Sequence, residues 1–247
     1  MQEKKIVVKI GTAAIVSDSS IDTKTIARLA YSCNELLELN KNVMMVSSGA
    51  IACGRRKLGV KYREDERLRE KQRYASIGQH KLMSAYEEEF DKYGIIVNQV
   101  LLTEDALSKK KRLKEFESFY EETLSHKDIP IFNENDAIAT KEITFGDNDL
   151  LAAYLTRDLK QDLLIMLTVY DGLYKNGRTI KIADSYDPKN YDNLDREVTE
   201  GRGGLKSKLE AAKIVNKAGK TCIISNACYN LCDIIYGDAP STKFLPK

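Results

Sequence analysis

The chain has 247 residues, 43% of them hydrophobic and 31% charged, an ordinary globular balance that can bury a large core in one domain or two intimate lobes. Because 39 Lys and Arg stand against 37 Asp and Glu, there is no bulk field to draw it onto nucleic acid or a membrane surface. The basic runs Arg55–Lys57 and Lys109–Arg112 read as solvated faces. No apolar run of about 18 residues occurs, and Ile6–Ile10 is too short for a secretion signal and lacks a cleavage site after it. The odd cysteine count (Cys33, Cys53, Cys222, Cys228, Cys232) predicts reduced thiols in a cytoplasmic protein, each serving as a small buried hydrophobe. With only His80 and His126 to join them, a zinc site is not expected.

Apolar runs and helical patterns alternate along the chain. Ile6–Ile10 reads as a buried strand, and Ile26, Leu29, Cys33, Leu36 and Leu37 follow with helical spacing. Val43–Val46 is a second strand, ending at Ser47-Ser48-Gly49-Ala50. A long helix is predicted from Lys71 to Tyr93, stopped by Gly94. Ile95–Leu102 is a strand, Glu115–Leu124 a helix and Ile129–Phe132 a strand. Ala137–Phe145 alternates as a hairpin or flap would. Asp149–Leu159 is helical, Leu163–Thr168 a core strand, Leu205–Ala218 an amphipathic helix and Thr221–Ser225 a last strand. The polar stretch 180–201 is an insertion or a connection. This alternation predicts an α/β fold with a mostly parallel central sheet. Ligands then sit beyond the carboxyl ends of the strands, where the polar motifs fall.

Five motifs carry chemistry. Lys9-Ile10-Gly11-Thr12 places a lysine at the end of a buried strand, where its charge needs a partner, beside a glycine that allows a tight turn and close approach. Ser47-Ser48-Gly49-Ala50-Ile51 is a strand–turn–helix start whose free N–H groups suit an anion. Asn133-Glu134-Asn135-Asp136 is poor strand material and suits ligand orientation, with Asp136 fit for an ammonium group. Gly146-Asp147-Asn148-Asp149 sets acids at a helix N-terminus. Gly201-Arg202-Gly203-Gly204-Leu205-Lys206-Ser207-Lys208 is a glycine-rich run into a helix that can wrap phosphates but lacks the Walker spacing. Taken alone, each also fits a structural role: a strand-end lysine, an N-cap serine, an Asx turn, a helix cap, a surface loop.

Taken in order, these segments resemble the glutamate 5-kinase family of the amino acid kinase superfamily. The likeness rests on Val8-Lys9-Ile10-Gly11-Thr12, Ser48–Ala52 with Gly54-Arg55, Leu101-Leu102-Thr103, Asn133–Ala137, Gly146–Asp149, Gly172-Leu173-Tyr174, and Gly203-Gly204 with Lys208, which together span almost the whole chain. The resemblance implies a three-layer αβα sandwich in one domain, with a substrate lobe over about 1–160 and a nucleotide lobe over about 161–247. It also implies ATP- and magnesium-dependent formation of γ-glutamyl phosphate on the route to proline. In that family the lysines matching Lys9 and Lys208 neutralise the moving phosphoryl group, and the aspartate matching Asp149 orients them. Ser48, Gly49, Ala50, Asn133, Asp136 and Asn148 match the glutamate site. Lys9, Gly11, Thr12, Thr168, Val169, Arg202, Gly203, Gly204, Leu205, Lys206, Ser207 and Lys208 match the nucleotide site, and no protein ligand to a metal is assigned. Feedback inhibition by proline, homo-oligomers and a partner glutamyl phosphate reductase are further implications. The family's C-terminal PUA-type domain is not expected in a chain ending at Lys247.

Three positions depart from the family pattern. Val169 stands where an acid is common, Arg202 where threonine is common, and Ala13 where serine is common. Arg202 adds a positive charge to the glycine loop, suited to a nucleotide phosphate. Three other readings compete: a related kinase acting on acetylglutamate, aspartate, carbamate or a nucleoside monophosphate; a non-catalytic amino-acid sensor; and a nucleic-acid binder. The Asn133–Asp136 and Gly146–Asp149 blocks oppose the first, retention of Lys9, Asp149 and Lys208 the second, and the neutral charge the third.

Overall fold

The protein is described here from a computed structural model covering residues 4–17, 20–103, 106–107, 110–138, 140, 147–192 and 204–246. Its strands are β1 (Lys5–Ile10), β2 (Asn42–Ser47), β3 (Val97–Leu102), β4 (Ile129–Glu134), β5 (Leu163–Thr168), β6 (Tyr174–Lys175), β7 (Arg178–Thr179), β8 (Thr221–Asn226) and β9 (Ser241–Phe244). Its helices are α1 (Thr12–Ile15), α2 (Thr23–Glu38), α3 (Ala50–Lys57), α4 (Leu68–Phe90), α5 (Lys110–Ser125), α6 (Asn148–Asp158), α7 (Leu205–Lys217) and α8 (Leu231–Tyr236). Seven strands form one sheet in the order β3-β4-β2-β1-β5-β8-β9. All neighbours run parallel except β9 against β8.

The apolar runs become central strands because both sheet faces are covered by helices, so every position must be apolar. The pleat sorts them. Ile6, Val8, Ile10, Val43, Met45 and Ile165 meet α2, α4 and α8 on one face. Val7, Met44, Val46, Leu164 and Met166 meet α6 and α7 on the other. The result is a three-layer αβα sandwich. The same period of two puts Lys9 on the second face, two residues beyond Val7.

The long helix starts earlier than its periodicity indicates, at Leu68, because the Glu70 carboxylate accepts from the Arg67 N–H at 2.9 Å and closes the first turn. It ends at Phe90, followed by a 3-10 turn over Asp91–Tyr93 and Gly94 at φ 68°. β4 runs two residues past its apolar stretch, through Asn133 and Glu134, which pair with Leu101 and Leu102. β8 is not the last strand: β9 follows it, too short and half-polar to stand out. Residues 180–183 of the polar stretch are stapled to β9, with Ala183 N–H donating to the Lys243 carbonyl and Lys243 N–H to the Lys181 carbonyl. Residues 193–200, 201–203, 139 and 141–146 lie outside the described residues, and with them most of the 137–145 hairpin expectation.

Two expectations about side chains need correction. Arg55 does not lie on a solvated face. It is 3% exposed, 2.8 Å from Glu66, with its guanidinium over the Tyr62 ring. Among the cysteines, Cys33, Cys53 and Cys222 are buried, but Cys228 is exposed and Cys232 half-buried, because they follow β8 in a surface turn and a short helix; all five are free thiols. Burial pushes the Cys33 thiol up to about 12 and Cys53 up to about 11, so both stay protonated. No helix among the described residues is long and apolar enough to cross a membrane.

The contact of α3 with α4 is unusually close. A Cβ on Gly54 would lie 1.9 Å from the Tyr74 carbonyl oxygen, and one on Gly78 would lie 1.8 Å from that of Ala50. Backbone meets backbone there, so no flexible side chain can yield. Gly78→Ala is expected to destabilise the protein by about 3 kcal/mol, or roughly 6–12 °C in Tm for a domain of this size, as read by thermal and urea unfolding.

Candidate active site

The site begins where β1 ends. Lys9 is 2% exposed and its ammonium has nowhere to go but along the second face, toward the head of α6. There Asp149 is fully buried. Its Oδ1 lies 2.7 Å from Lys9 Nζ, an ion pair outside good hydrogen-bond alignment. Its Oδ2 accepts from Lys208 Nζ at 3.0 Å and from Ser207 Oγ at 3.0 Å, both on the first turn of α7. One carboxylate thus gathers β1, α6 and α7.

The charges are stable there. Burial by itself would push the Asp149 carboxyl up, but Lys208 and Lys9 outweigh it and hold Asp149 well below the usual carboxylate range. Burial likewise pushes Lys208 down, and Asp149 with Asp147 more than compensates, so its ammonium sits above its ordinary value. Lys9 and Lys208 thus share the Asp149 carboxylate, and the Asp147 carboxylate lies near enough to act on Lys208 as well. An ammonium carries three N–H donors, so neither lysine is limited to its contact with Asp149. The heads of α6 and α7 add oriented N–H groups. The cluster is an anion receptor.

A second, amide-based cluster adjoins it. Asn148 Nδ2 donates to Asn133 Oδ1 at 2.8 Å and to Ser48 Oγ at 3.0 Å. Asn133 Nδ2 donates to Gln79 Oε1 at 2.9 Å, and Gln79 Nε2 donates to Gln99 Oε1 at 3.1 Å. Ser48 precedes Gly49, whose φ of 113° lies in the left-handed region and lets α3 begin at Ala50. Beneath this turn Ser47 Oγ donates to the Ser48 carbonyl and meets Tyr86 OH at 2.9 Å. A cleft of about 470 Å³ adjoins the Gln79 end of this cluster, lined among others by Ala50, Gln79, His80, Gln99, Glu134 and Asp136.

The structure therefore joins Lys9, Asp149, Ser207 and Lys208 in one cluster and Ser48, Asn133 and Asn148 in the next, with Ala50 and Asp136 on the cleft wall. Gly11 N–H donates to the Leu167 carbonyl at 3.2 Å, tying β1 to β5. Its backbone is extended at φ −80°, so no special turn requires glycine; a Cβ would sit in ordinary contact, 3.8 Å from Lys9 Nζ. Thr12 opens α1. Thr168 ends β5, and exposed Val169 follows, its carbonyl accepting from Asn226 Nδ2 at 3.1 Å. Gly204 caps α7, Leu205 packs on the core and Lys206 is exposed. Arg202 and Gly203 lie outside the described residues.

Three contributions escape sequence reasoning. Asp147, read within its motif as a helix cap, does cap α6 by accepting from Asp149 N–H at 3.1 Å, and what escapes is its Oδ2, buried with no hydrogen-bond partner among the described residues. Ser207 acts on Asp149. Gln79, in mid-helix, carries no motif signal at all. Among the described residues no group of three His, Cys, Asp or Glu side chains is placed to hold a metal. The donor set fits an ion carried in by phosphates, with the Asp147 oxygen beside it, and does not fit an all-protein cage.

A mostly parallel αβα sandwich with a two-lysine anion receptor at the strand ends defines a phosphoryl-handling class of fold, and the chain belongs to the amino acid kinase family, which it matches over residues 4–226. Within that family it is similar to glutamate 5-kinases. It is 36% identical to that of Pelagibacter ubique over 99% of this chain and 69% of the relative, and 38% identical to that of Desulfotalea psychrophila over 98% and 67%. The Clostridium acetobutylicum protein is 35% identical over 98% of this chain and 95% of its own. Among solved structures, carbamate kinase from Giardia superposes with a TM-score of 0.67 at 12% identity over the full length of both chains. UMP kinase from Ureaplasma parvum gives 0.63 at 14% identity over 99% of this chain and all of the other. These last two likenesses concern the fold.

Asp149→Asn leaves two buried ammoniums without a counter-charge and is expected to cost about 3–5 kcal/mol. The sign with pH follows. A carboxyl lowered in the folded state contributes stability above its unfolded value of about 4, and loses it as pH falls through the lowered folded value. Urea unfolding should show the gap between wild type and variant fully open at neutral pH and closing below about pH 4.

Proposed function

We propose that this chain transfers the γ-phosphoryl group of ATP to the γ-carboxylate of L-glutamate, giving L-glutamyl 5-phosphate and ADP. The observation that carries the reading is the buried Lys9–Asp149–Lys208 cluster, two lysines fixed on one aspartate at the carboxyl ends of the strands. The 35–38% identity to glutamate 5-kinases supports glutamate as the acceptor.

The acceptor carboxylate is ionised at neutral pH, so no general base is required. One of its oxygens attacks the γ-phosphorus, the bond to the bridging oxygen of ADP breaks, and no proton moves. The difficulty is the approach of two anions and the charge spread over the phosphoryl oxygens in flight. Lys9 and Lys208 supply positive charge there, and Asp149 fixes their positions so that little reorganisation accompanies the reaction. Magnesium, when bound through the phosphates, neutralises part of their charge. Ser48, Gly49, Ala50, Asn133, Asn148 and Asp136 orient the amino acid, with Asp136 suited to its ammonium. The nucleotide lies over Gly11, Thr12, Thr168, Val169 and the 202–208 segment, where Arg202 meets a phosphate.

The product is a labile acyl phosphate, so we place the reaction in the cytoplasm ahead of a reductase on the route to proline. Proline competes for the glutamate pocket in this reading, and the chain works as a homo-oligomer. Purified protein with MgATP and hydroxylamine should form hydroxamate with glutamate and not with aspartate, N-acetylglutamate or no acid. Lys9→Ala and Lys208→Ala should each lower kcat by about 10²–10³-fold. Turnover on another acid, or on none with glutamate still bound, would overturn the assignment.

A further inference from the structure

The amide cluster has a fixed polarity that can be read outward from one backbone group. The Glu134 N–H can only donate, and it points at an Asn133 side-chain atom 2.9 Å away, which must therefore be the carbonyl oxygen Oδ1. That same oxygen lies 2.8 Å from Asn148, whose facing atom must be the donor Nδ2. Asn148 Nδ2 is also 3.0 Å from Ser48 Oγ, so the serine oxygen accepts. The Ser48 proton then has no acceptor among the described residues and is available to a ligand oxygen. Asn148 Oδ1, buried and without a hydrogen-bond partner among the described residues, is the acceptor left for a ligand N–H. Ser48 and Asn148 thus hold one unspent donor and one unspent acceptor side by side.

On the far side of Asn133 the order continues. Its Nδ2 must find an acceptor, because Asn133 is 2% exposed and water does not reach it freely. Gln79 Oε1 is that acceptor at 2.9 Å. Gln79 is held in turn by donating Nε2 to Gln99 Oε1 at 3.1 Å across the cleft wall. The residue before it, Gly78, is pressed against the Ala50 carbonyl, so the backbone that carries Gln79 has a fixed height above the α3 turn.

We propose that Gln79 is a positioning residue for the acceptor pocket: by accepting from Asn133 it holds the Asn133–Asn148–Ser48 relay in the polarity that offers the Ser48 proton and the Asn148 oxygen to the amino acid. This rests on the reading of those residues as the acceptor site. Removal of the Gln79 oxygen leaves the Asn133 amide nitrogen buried without an acceptor. Asn133 then turns to satisfy it, and Asn148 loses the shortest of the contacts that orient it, keeping those to Ser48 Oγ and the Ser47 carbonyl. A donor in its place, as in Gln79→Lys, sets donor against donor. A carboxylate, as in Gln79→Glu, keeps the acceptor, and the Gln99 amide turns to donate to it.

The test is steady-state hydroxamate formation by the full chain and its Gln79→Leu, Gln79→Lys and Gln79→Glu variants, with glutamate binding by calorimetry and melting curves alongside. Gln79→Leu and Gln79→Lys should raise KM for glutamate by about 10-fold or more, as an unsatisfied buried polar group does, while KM for ATP and kcat stay within about 3-fold. Gln79→Glu should recover most of the loss. Where a Gln79 variant fails to fold, Gln99→Leu, which frees Gln79 without touching Asn133, should shift the same constant in the same direction by about 3-fold. An unchanged KM in Gln79→Leu overturns the proposal. So does an equal loss in all three variants that falls on kcat, because packing alone does not distinguish acceptor from donor. Wild-type turnover on a different acid overturns the glutamate assignment by itself; an unchanged KM for whichever acid the wild type uses overturns the Gln79 role by itself.

Discussion

Two ammonium groups share one carboxylate at the carboxyl end of the central strand, and the sandwich is arranged so that they can. At an effective dielectric of about 20, each contact near 3 Å attracts by on the order of 5 kcal/mol, against a desolvation penalty of several kcal/mol per ion. Such a cluster persists only where every member is held by something else. Lys9 is held by the register of β1 between β2 and β5. Asp149 is held by the Asp147 cap, and Lys208 by the first turn of α7. The two ammoniums are thereby fixed in position before any ligand arrives.

The amide cluster has a different character. It contains neutral amides and hydroxyls, and its information is directional rather than electrostatic. A charge attracts any anion, whereas a relay that ends in one donor and one acceptor selects a ligand by the order of its groups. The division suits a phosphoryl transfer, in which the moving group is recognised by charge and the acceptor by pattern. Asn148 and Asp149 sit next to each other at the head of α6, one in each cluster, so a single helix turn keeps the two halves in register.

Much of this could be read from the chain alone, and the reasons differ from part to part. Lys9 was legible because a charge in an apolar strand requires a partner, and Asp149 because an acid heads an apolar helix. Their partnership was legible through family resemblance, since no periodicity links β1 to α6 and α7. Asn133 and Glu134 were misplaced just beyond a strand because their propensity is poor. The side chain of Asn133 is satisfied by Glu134 N–H, Asn148 and Gln79, which removes the penalty that propensity reflects. Arg55 was read as solvated because a run of basic residues looks alike whether or not Glu66 lies beneath it. Gln79 left no trace, as a glutamine inside a long polar helix is the least informative of residues.

The close crossing of α3 and α4 has a mechanical consequence. With Gly78 seated on the Ala50 carbonyl and Gly54 on that of Tyr74, neither helix can slide along the other without a backbone collision. Ala50 heads the turn that carries Ser48, and Gln79 follows Gly78, so the floor and the wall of the pocket are bolted through one contact. A pocket built this way has a fixed depth. A ligand longer or shorter by a methylene must be accommodated by exchanging side chains on its wall, because the helices that frame it have no travel.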